Sequence, residues 1–363
     1  MTREELIQVL IPERVRQGAA YQVQDATGMI KLDAMENPFV WPSYLRTQYA
    51  QRLANCSLNR YPDPYAINVR APLRQWMKIP ESLDILFGNG SDEIIALLIS
   101  SLIGSGRSVC APDPSFVMFG ALANQYSVTF EALPLDAAFD IDLDRWLAFL
   151  HENDPALIFI PQPNNPTGNL FSRERLAKIV ESTKALVVID EAYTAFTDAD
   201  FLDWAVAYPN VLVMRTLSKV GLAGSRFGML VGHPAWISEF DKMRLPYNIN
   251  TLSQTAVQFA LEHAPVLEEQ SFRVRKERTK LIRELEKRGF NVWPSEANFV
   301  LIKCPIDQAR FIFEALKLRN ILIKCLDGSH PRLKDTLRIT VGSSEEVDTL
   351  LSAIDQLVAE LGL

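Results

Sequence analysis

One pattern constrains the fold of this chain more than any other. A short apolar run, a turn rich in Gly, Pro or Asn, and a helical stretch repeat between about residues 84 and 232. Such runs are typical of buried strands in a largely parallel sheet covered on both faces, and they predict an α/β architecture. The runs are Ile85–Phe87, Ser108–Ala111, Ala156–Ile160, Leu186–Ile189, Val211–Met214 and Met229–Val231.

Two helices in this region can be placed from their first residues. Ser91 is predicted to cap a helix that is apolar from Ile94 to Ile103 and is therefore buried. Ser172 is predicted to cap a second helix, with Leu176 and Ile179 on its apolar face.

The pattern changes after about residue 250. A highly charged segment, 266–288, predicts a solvated helix that Gly289 closes. Further strands and helices follow, and they indicate an α+β arrangement. The predicted elements are a strand over Phe299–Lys303, a helix over about 307–319, strands over Ile321–Lys324 and Leu337–Val341, and a helix that begins at the capping box of Ser343 and Glu346.

These changes divide the chain of 363 residues into three parts. We predict an N-terminal arm over residues 1–45, a large α/β domain over 46–250 and a smaller α+β domain over 251–363.

Charge and cysteine content exclude several classes of protein. The net charge is -7, with 37 basic against 44 acidic residues, so the basic excess that nucleic-acid binding needs is missing. The four cysteines are scattered without the spacing of a zinc site. No apolar stretch reaches the ~20 residues of a membrane helix, and the N-terminus lacks the apolar core of a secretory signal. We therefore expect a cytoplasmic protein without metal, membrane or nucleic-acid partners.

Unusual polar residues follow the carboxyl ends of four of the apolar runs. Open α/β sheets bind ligands in the crevice at the carboxyl ends of their strands. We therefore expect four segments to converge on one site: Gly88–Asp92, Pro163–Gly168, Asp190–Tyr193 and Arg215–Lys219.

Each segment has a chemical capacity and a plainer structural alternative. The Gly88–Ser91 turn offers free N–H groups that suit a phosphate, but alone it is better explained as a tight strand-to-helix turn. Asp190 alone is better explained as a helix cap or a member of an ion pair. A lysine such as Lys219 is normally solvated, yet inside a cleft it can lose its proton and become a nucleophile toward an aldehyde.

The order of these motifs resembles a known family. Asn-Pro-Thr-Gly at 165–168, Asp-Glu-Ala-Tyr at 190–193 and Ser-Lys at 218–219, with Arg226 beyond, resemble the fold-type I aminotransferases that use pyridoxal phosphate. The resemblance spans nearly the whole chain. It implies a large domain with a mostly parallel sheet and a smaller C-terminal α+β domain.

The resemblance also assigns roles to residues around the cofactor. Lys219 would hold the cofactor aldehyde covalently, and Asp190 would keep the pyridine nitrogen protonated. Asn165 and Tyr193 would bind the phenolic oxygen of the ring, and Phe116 would stack on it. The expected phosphate contacts are Ser91, Asp92, Thr216, Ser218 and Arg226.

Other segments are similar to the histidinol-phosphate aminotransferases of histidine biosynthesis, in particular Met35–Pro38, Arg60–Pro62 and Leu337–Gly342. In that family the tyrosine that matches Tyr61 reaches the cofactor phosphate of the partner subunit, which implies a homodimer. The implied reaction interconverts histidinol phosphate plus 2-oxoglutarate with imidazole-acetol phosphate plus glutamate.

The anionic end of the substrate also has a candidate site. Arg338 matches the arginine that holds this end in the family, and its planar guanidinium suits phosphate and carboxylate alike. Tyr21, Asn37 and Lys324 are further candidates for substrate contacts.

The chain departs from the family pattern at three points. Phe116 stands where tyrosine is usual, so stacking is kept but a hydroxyl is lost. Met35 replaces an asparagine that is common before Glu-Asn-Pro, and the interval from Lys219 to Arg226 is one residue shorter than in many members. None of these changes removes a group that transamination requires.

Three alternatives stay open from the sequence. The first is an aromatic amino-acid aminotransferase of the same subgroup. The second is a lyase on the same scaffold, similar to threonine-phosphate decarboxylase. The third, a regulator that binds pyridoxal phosphate, would carry an added DNA-binding module, and the negative net charge and short N-terminal segment argue against it.

Overall fold

The fold is described from a computed structural model, which covers residues 1–18, 20 and 23–361. Its helices are α1 (Arg3–Leu10), α2 (Glu13–Arg16), α3 (Ser43–Ala54), α4 (Ile67–Trp76), α5 (Ser91–Ser100), α6 (Met118–Gln125), α7 (Leu143–Glu152), α8 (Arg173–Glu181), α9 (Leu202–Ala207), α10 (Pro234–Asp241), α11 (Thr251–Glu262), α12 (Ala264–Lys287), α13 (Ala309–Leu318) and α14 (Ser344–Leu361). Its strands are β1 (Ile30–Lys31), β2 (Asp84–Gly88), β3 (Val109–Asp113), β4 (Phe130–Pro134), β5 (Leu157–Pro161), β6 (Leu186–Asp190), β7 (Val211–Thr216), β8 (Gly228–Gly232), β9 (Asn291–Val292), β10 (Phe299–Lys303), β11 (Ile321–Leu322), β12 (Lys324–Cys325) and β13 (Thr336–Thr340).

The largest sheet has seven strands in the order β2-β8-β7-β6-β5-β3-β4. All its pairings are parallel except those of β8, which runs antiparallel to β2 and β7. Alternate side chains of β6 enter different cores, with Val187 and Ile189 in one and Leu186 and Val188 in the other. Both faces are therefore covered, which confirms the predicted α/β architecture.

Strand β4 is absent from the predicted pattern. It lies at the edge of the sheet and pairs with β3 alone. Leu133 is its buried residue, and Glu131 lies within it. An edge strand buries too little surface to require an apolar run, so it gives no such signal.

The C-terminal part contains an antiparallel sheet in the order β12-β13-β10-β9. The strand predicted over Ile321–Lys324 is in fact two strands. Residues Ile321–Leu322 pair in parallel with β1, and Lys324–Cys325 pair with β13. The chain changes sheet at the buried Ile323, and this attaches the N-terminal segment to the C-terminal part.

Two of the three predicted helix starts are confirmed. Ser172 Oγ accepts a hydrogen bond from the Arg175 amide, and Ser343 and Glu346 form both hydrogen bonds of a capping box. The prediction for Ser91 is wrong, because Ser91 is the first residue of α5 and the N-cap is Gly90, which has no side chain to form a capping bond. Helix α5 also ends at Ser100 rather than continuing to Ile103.

The predicted charged helix is present as α12, and Gly289 follows it at a positive φ of 82°. Helix α11 lies beyond the predicted boundary at 250, yet it packs against α3 and α4. The boundaries of the three parts stay predictions. Within the described ranges, no helix is both long and apolar enough to span a membrane.

Candidate active site

A cavity of about 200 Å³ lies where β5, β6 and β7 end. The carboxyl ends of these neighbouring parallel strands meet at one edge of the sheet, which is where the sequence predicted a site. The structure brings ten predicted residues to its wall: Ser91, Asp92, Phe116, Asn165, Asp190, Tyr193, Thr216, Ser218, Lys219 and Arg226.

Lys219 lies in a tight helical turn, Ser218–Leu222, directly after β7. The turn requires Gly221, whose φ of 111° is strained for any residue with a Cβ atom. Loss of hydration lowers the pKa of Lys219 to about 8, and the nearby Arg338 contributes in the same direction. A substantial neutral fraction near neutral pH makes this amine a competent nucleophile.

Asp190 is the last residue of β6 and only 5% exposed. Burial raises the pKa of this carboxyl to about 7, although the Ala192 amide donates a hydrogen bond to Oδ1 at 3.1 Å and opposes the shift. A carboxylate in this position gains stability from a cationic partner inside the cavity.

Asn165 connects two other predicted residues. Its Oδ1 accepts a hydrogen bond from Arg338 Nη1 at 2.5 Å, and its side chain is also hydrogen-bonded to Tyr193. Tyr193 is 5% exposed, and its burial raises the pKa of the hydroxyl. The hydroxyl therefore stays protonated and can donate to an oxygen in the cavity.

The start of α5 and the residues after β7 form a polar corner. The Thr216 and Ser218 hydroxyls are 2.9 Å apart, and Arg226 Nη2 lies 3.0 Å from Asp92 Oδ2. The turn favours glycine at position 90 because its φ is 83°, and a Cβ atom there would also lie 2.5 Å from Arg226 Nη2. Free amides at a helix N-terminus beside hydroxyls and a guanidinium suit a phosphate group.

Phe116 closes one side of the cavity, and the loop around it is held by Asn164. The Asn164 amide donates to the Pro114 carbonyl at 3.1 Å, and Ser115 Oγ donates to Asn164 Oδ1 at 2.9 Å. Asn164 was not among the predicted site residues. The sequence signal that could have found it is its place next to Asn165, since a second buried amide side chain needs hydrogen-bond partners of its own.

Arg338 lies on β13 and reaches the site from the smaller sheet. Its Nη2 donates to the Asp33 carbonyl at 2.8 Å, in addition to the bond to Asn165. Lys324 is exposed and lies directly opposite Arg338 in the β12–β13 pairing, so the two side chains share one face of the sheet.

Besides Arg338 and Lys324, two more predicted residues lie outside the cavity lining, and one residue cannot be placed. Tyr61 is 81% exposed and stacks on Tyr247, with ring centroids 4.6 Å apart. Asn37 Nδ2 donates to Gln270 Oε1 at 3.2 Å, beside rather than within the cavity. Tyr21 lies outside the described residues.

Glu36 also lines the cavity, although it was not among the predicted site residues. Its Oε2 accepts a hydrogen bond from Lys31 Nζ at 2.6 Å. The preceding Met35 has a φ of 53°, and its amide donates to Thr340 Oγ1 at 3.0 Å. This backbone conformation turns the segment into the site, and no local sequence signal predicts it.

Comparison with known proteins gives a consistent family. The family model described as "Aminotransferase class I and II" matches residues 27–354 of this chain. Histidinol-phosphate aminotransferase 2 of Nitrosococcus oceani is 46% identical over 355 residues, which cover 98% of each chain. The histidinol-phosphate aminotransferase of Chromobacterium violaceum is 44% identical over 351 residues, or 96% of this chain and 98% of that one.

Solved structures show the same fold. Histidinol-phosphate aminotransferase from Sinorhizobium meliloti, in complex with pyridoxal-5'-phosphate, has a TM-score of 0.86 at 22% identity and covers 97% of this chain and 98% of its own. The enzyme from Clostridium acetobutylicum has a TM-score of 0.82 at 24% identity, with coverage of 92% and 100%.

Proposed function

Because this chain belongs to the class I and II aminotransferases, we propose that it transfers the amino group of histidinol phosphate to 2-oxoglutarate with pyridoxal phosphate as cofactor. The products are imidazole-acetol phosphate and glutamate, and the reaction is reversible. The resemblance stated from the sequence motifs is thus confirmed at the level of the family.

One observation carries the proposal. A lysine, a buried carboxyl group and an asparagine share one cavity, in Lys219, Asp190 and Asn165, and Arg338 is bonded to that asparagine. The residues fit pyridoxal phosphate because each polar part of that molecule meets complementary chemistry. The polar corner, in particular, places the hydroxyls of Thr216 and Ser218 and the guanidinium of Arg226 beside the start of α5.

Pyridoxal phosphate, when bound, supplies an aldehyde that takes up the amino group and a ring that stabilises negative charge at the substrate carbon. Lys219 is the residue that would hold the aldehyde. Once the amino donor is bound, the free Lys219 amine would take the proton from the substrate carbon and hold it on Nζ. Its pKa of about 8 suits both directions of proton transfer near neutral pH.

Asp190 would pair with the protonated ring nitrogen. Its burial makes an isolated negative charge costly, so a cationic partner stabilises the carboxylate strongly. Asn165 and Tyr193 would donate hydrogen bonds to the phenolic oxygen of the ring, and Phe116 would cover one face. Ser91, Asp92, Thr216, Ser218 and Arg226 would hold the phosphate.

Arg338 would hold the anionic end of both substrates, which is a phosphate in one and a carboxylate in the other. Its planar guanidinium can bind either group bidentately. Lys324 lies on the same sheet face, and we propose that it adds a second cation for the dianionic phosphate. Asn37 and Tyr21 stay candidates for substrate contacts.

The site is proposed to be completed by a second copy of the chain. Tyr61 is exposed and does not line the cavity of its own subunit. This is expected if its side chain reaches the cofactor phosphate of a partner subunit. Subunits with Lys219→Ala and with Tyr61→Ala, mixed and re-associated, should regain one intact site per heterodimer. A monomer at assay concentration, or no recovery on mixing, would exclude the shared site.

The decisive experiment compares amino donors. The purified enzyme with pyridoxal phosphate is assayed for kcat/KM on histidinol phosphate, phenylalanine and tyrosine, with 2-oxoglutarate as acceptor. We expect a clear preference for histidinol phosphate. A preference for the aromatic amino acids would replace the proposal with an aromatic aminotransferase, and carbon dioxide release from threonine phosphate would indicate the lyase.

A further inference from the structure

A buried group of charges lies directly behind the site. Glu191 follows Asp190 at the end of β6, and Arg215 precedes Thr216 at the end of β7. Asp190 and Thr216 line the cavity, whereas Glu191 and Arg215 do not. Successive residues of extended chain point to opposite sides, so each cavity residue has a charged neighbour on the reverse side.

Glu191 and Arg215 are bonded to each other and to their surroundings. Glu191 Oε2 accepts from Arg215 Nε at 2.6 Å, and the two side chains are 1% and 4% exposed. Arg215 Nη2 pairs with Asp200 Oδ2 at 2.8 Å, and Nη1 donates to the Met77 carbonyl at 3.3 Å. The pair therefore joins β6 and β7 to the loop before α9 and to the end of α4.

Main-chain bonds add to this connection. The Glu191 amide donates to the Met214 carbonyl at 2.8 Å, and the Phe201 amide donates to Glu191 Oε1 at 2.7 Å. Every oxygen of the Glu191 carboxylate is thus engaged. The group is a fully bonded polar network, which rigidifies the backbone on which it is built.

A gain in stability is a weak explanation for these charges. A buried ion pair often contributes no more to folding than well-packed apolar residues of similar volume. Here the pair stands one residue from each of two cavity residues, in a region of low dielectric where charges act over longer distances. Its position therefore points to a role in the site.

We propose that Glu191 and Arg215 are positioning residues, which lock the ends of β6 and β7 together and set the electrostatic potential at Asp190 and the cofactor. Glu191 supplies a negative charge behind Asp190, and Arg215 holds that charge in place. The inference rests on the proposed function, because it concerns the group that Asp190 binds.

Several other charged groups also act on Asp190 and Lys219. Asp92, at the start of α5, and Glu191 both raise the pKa of Asp190, whereas Lys219, after β7, lowers it. Arg338, from β13, acts on Lys219 and on Tyr193. A test therefore has to change Glu191 alone and leave these groups in place.

The test is the pH titration of the visible absorption band of the holoenzyme. Glu191→Gln keeps the shape and removes one negative charge, which disfavours the protonated form of the lysine-bound cofactor. The band should titrate about one pH unit lower than in the wild type. Asp203→Asn is the matched control, since it removes a carboxylate from an exposed ion pair with Arg173 and should leave the titration unchanged.

Arg215→Lys separates charge from geometry. It keeps the positive charge and loses the planar fork that reaches three partners, so the band should titrate within about 0.3 pH unit of the wild type while cofactor dissociates faster. An unshifted band in Glu191→Gln, or equal shifts in Glu191→Gln and Arg215→Lys, would overturn the inference. A wild-type protein that forms no visible band with pyridoxal phosphate would instead refute the proposed function.

Discussion

The two walls of the cavity are built in different ways. The first, here called the cofactor wall, comprises the strand ends around Asn165, Asp190 and Lys219 and belongs to a single sheet. The second, the substrate wall, comprises Ala34, Met35 and Glu36 of the lining, together with Arg338, which is bonded to Asn165 beside the cavity. These parts meet through hydrogen bonds between residues 305 positions apart in sequence, from Met35 to Thr340 and from Arg338 to Asp33.

The difference separates two tasks. The cofactor wall takes its geometry from adjacent parallel strands, so its residues occur in compact motifs whose spacing is fixed by the sheet. The substrate wall depends on how distant segments dock, so small changes there can alter specificity without altering the chemistry. We therefore expect substitutions in the cofactor wall to affect all substrates and those in the substrate wall to discriminate among them.

The largest effect is expected at Lys219. Lys219→Ala removes both the attachment of the cofactor and the proton carrier, so turnover should fall by at least about a thousandfold for every donor. Borohydride reduction of the wild-type holoenzyme should label one peptide, identified by mass spectrometry. Lys178→Ala, at an exposed helix lysine, is the control and should keep full activity. A label on another lysine would contradict the assignment.

The second-largest loss of turnover is expected for Asp190→Ala. The variant should still bind pyridoxal phosphate, as measured by absorbance after gel filtration, but lose roughly a hundredfold or more of kcat for all donors, because the ring nitrogen loses its anionic partner. Asp190→Glu, which restores the charge, should recover part of the rate. Near-normal turnover in Asp190→Ala would exclude Asp190 as the anionic partner of the ring nitrogen.

The pH dependence of cofactor capture tests the electrostatics of the same wall. Neutral Lys219 is the reactive form, and its pKa is about 8. The rate at which the apoenzyme takes up pyridoxal phosphate, followed by absorbance in stopped flow, should therefore rise about tenfold per pH unit below 8 and level off above it. A plateau that begins only above pH 10 would show that Lys219 has an ordinary amine pKa.

The substrate wall should give smaller and selective effects. Arg338→Ala should lower kcat/KM for both half-reactions by about ten- to a hundredfold, since both substrates lose a charge-assisted hydrogen bond. Lys324→Ala should lower kcat/KM about tenfold for histidinol phosphate and less than about threefold for glutamate, because a dianion gains more from a second cation. Equal losses for the two donors in Lys324→Ala would show that Lys324 does not distinguish them.

The convergence of the strand-end residues on one cavity could be predicted from the sequence for a physical reason. A buried strand needs an apolar run, and the polar residue that ends it is conspicuous, as at Asp190 after Leu186–Ile189. Resemblance to a known family then supplied a role for each residue. The exact ends of elements were harder to predict, as shown by Gly90 rather than Ser91 capping α5. The edge strand β4 was not predicted at all, because it carries little apolar signal.

The substrate wall could be predicted only in part. The resemblance pointed to Arg338, but neither the break between β11 and β12 at Ile323 nor the positive φ of Met35 has a local cause in the sequence. Both follow from docking between segments far apart in the chain. The place of Glu36 in the cavity likewise depends on that docking.

The pairing of β1 with β11 has a consequence for how the protein is made. The large sheet is complete once Gly232 has left the ribosome, but Ile30 has no strand partner until Ile321 follows. Closing a loop of this length is slow compared with forming local contacts, and domains of nascent chains fold in the order of synthesis. During translation the N-terminal segment therefore waits unpaired, and the substrate wall can form only after the strands of the large sheet have been synthesised.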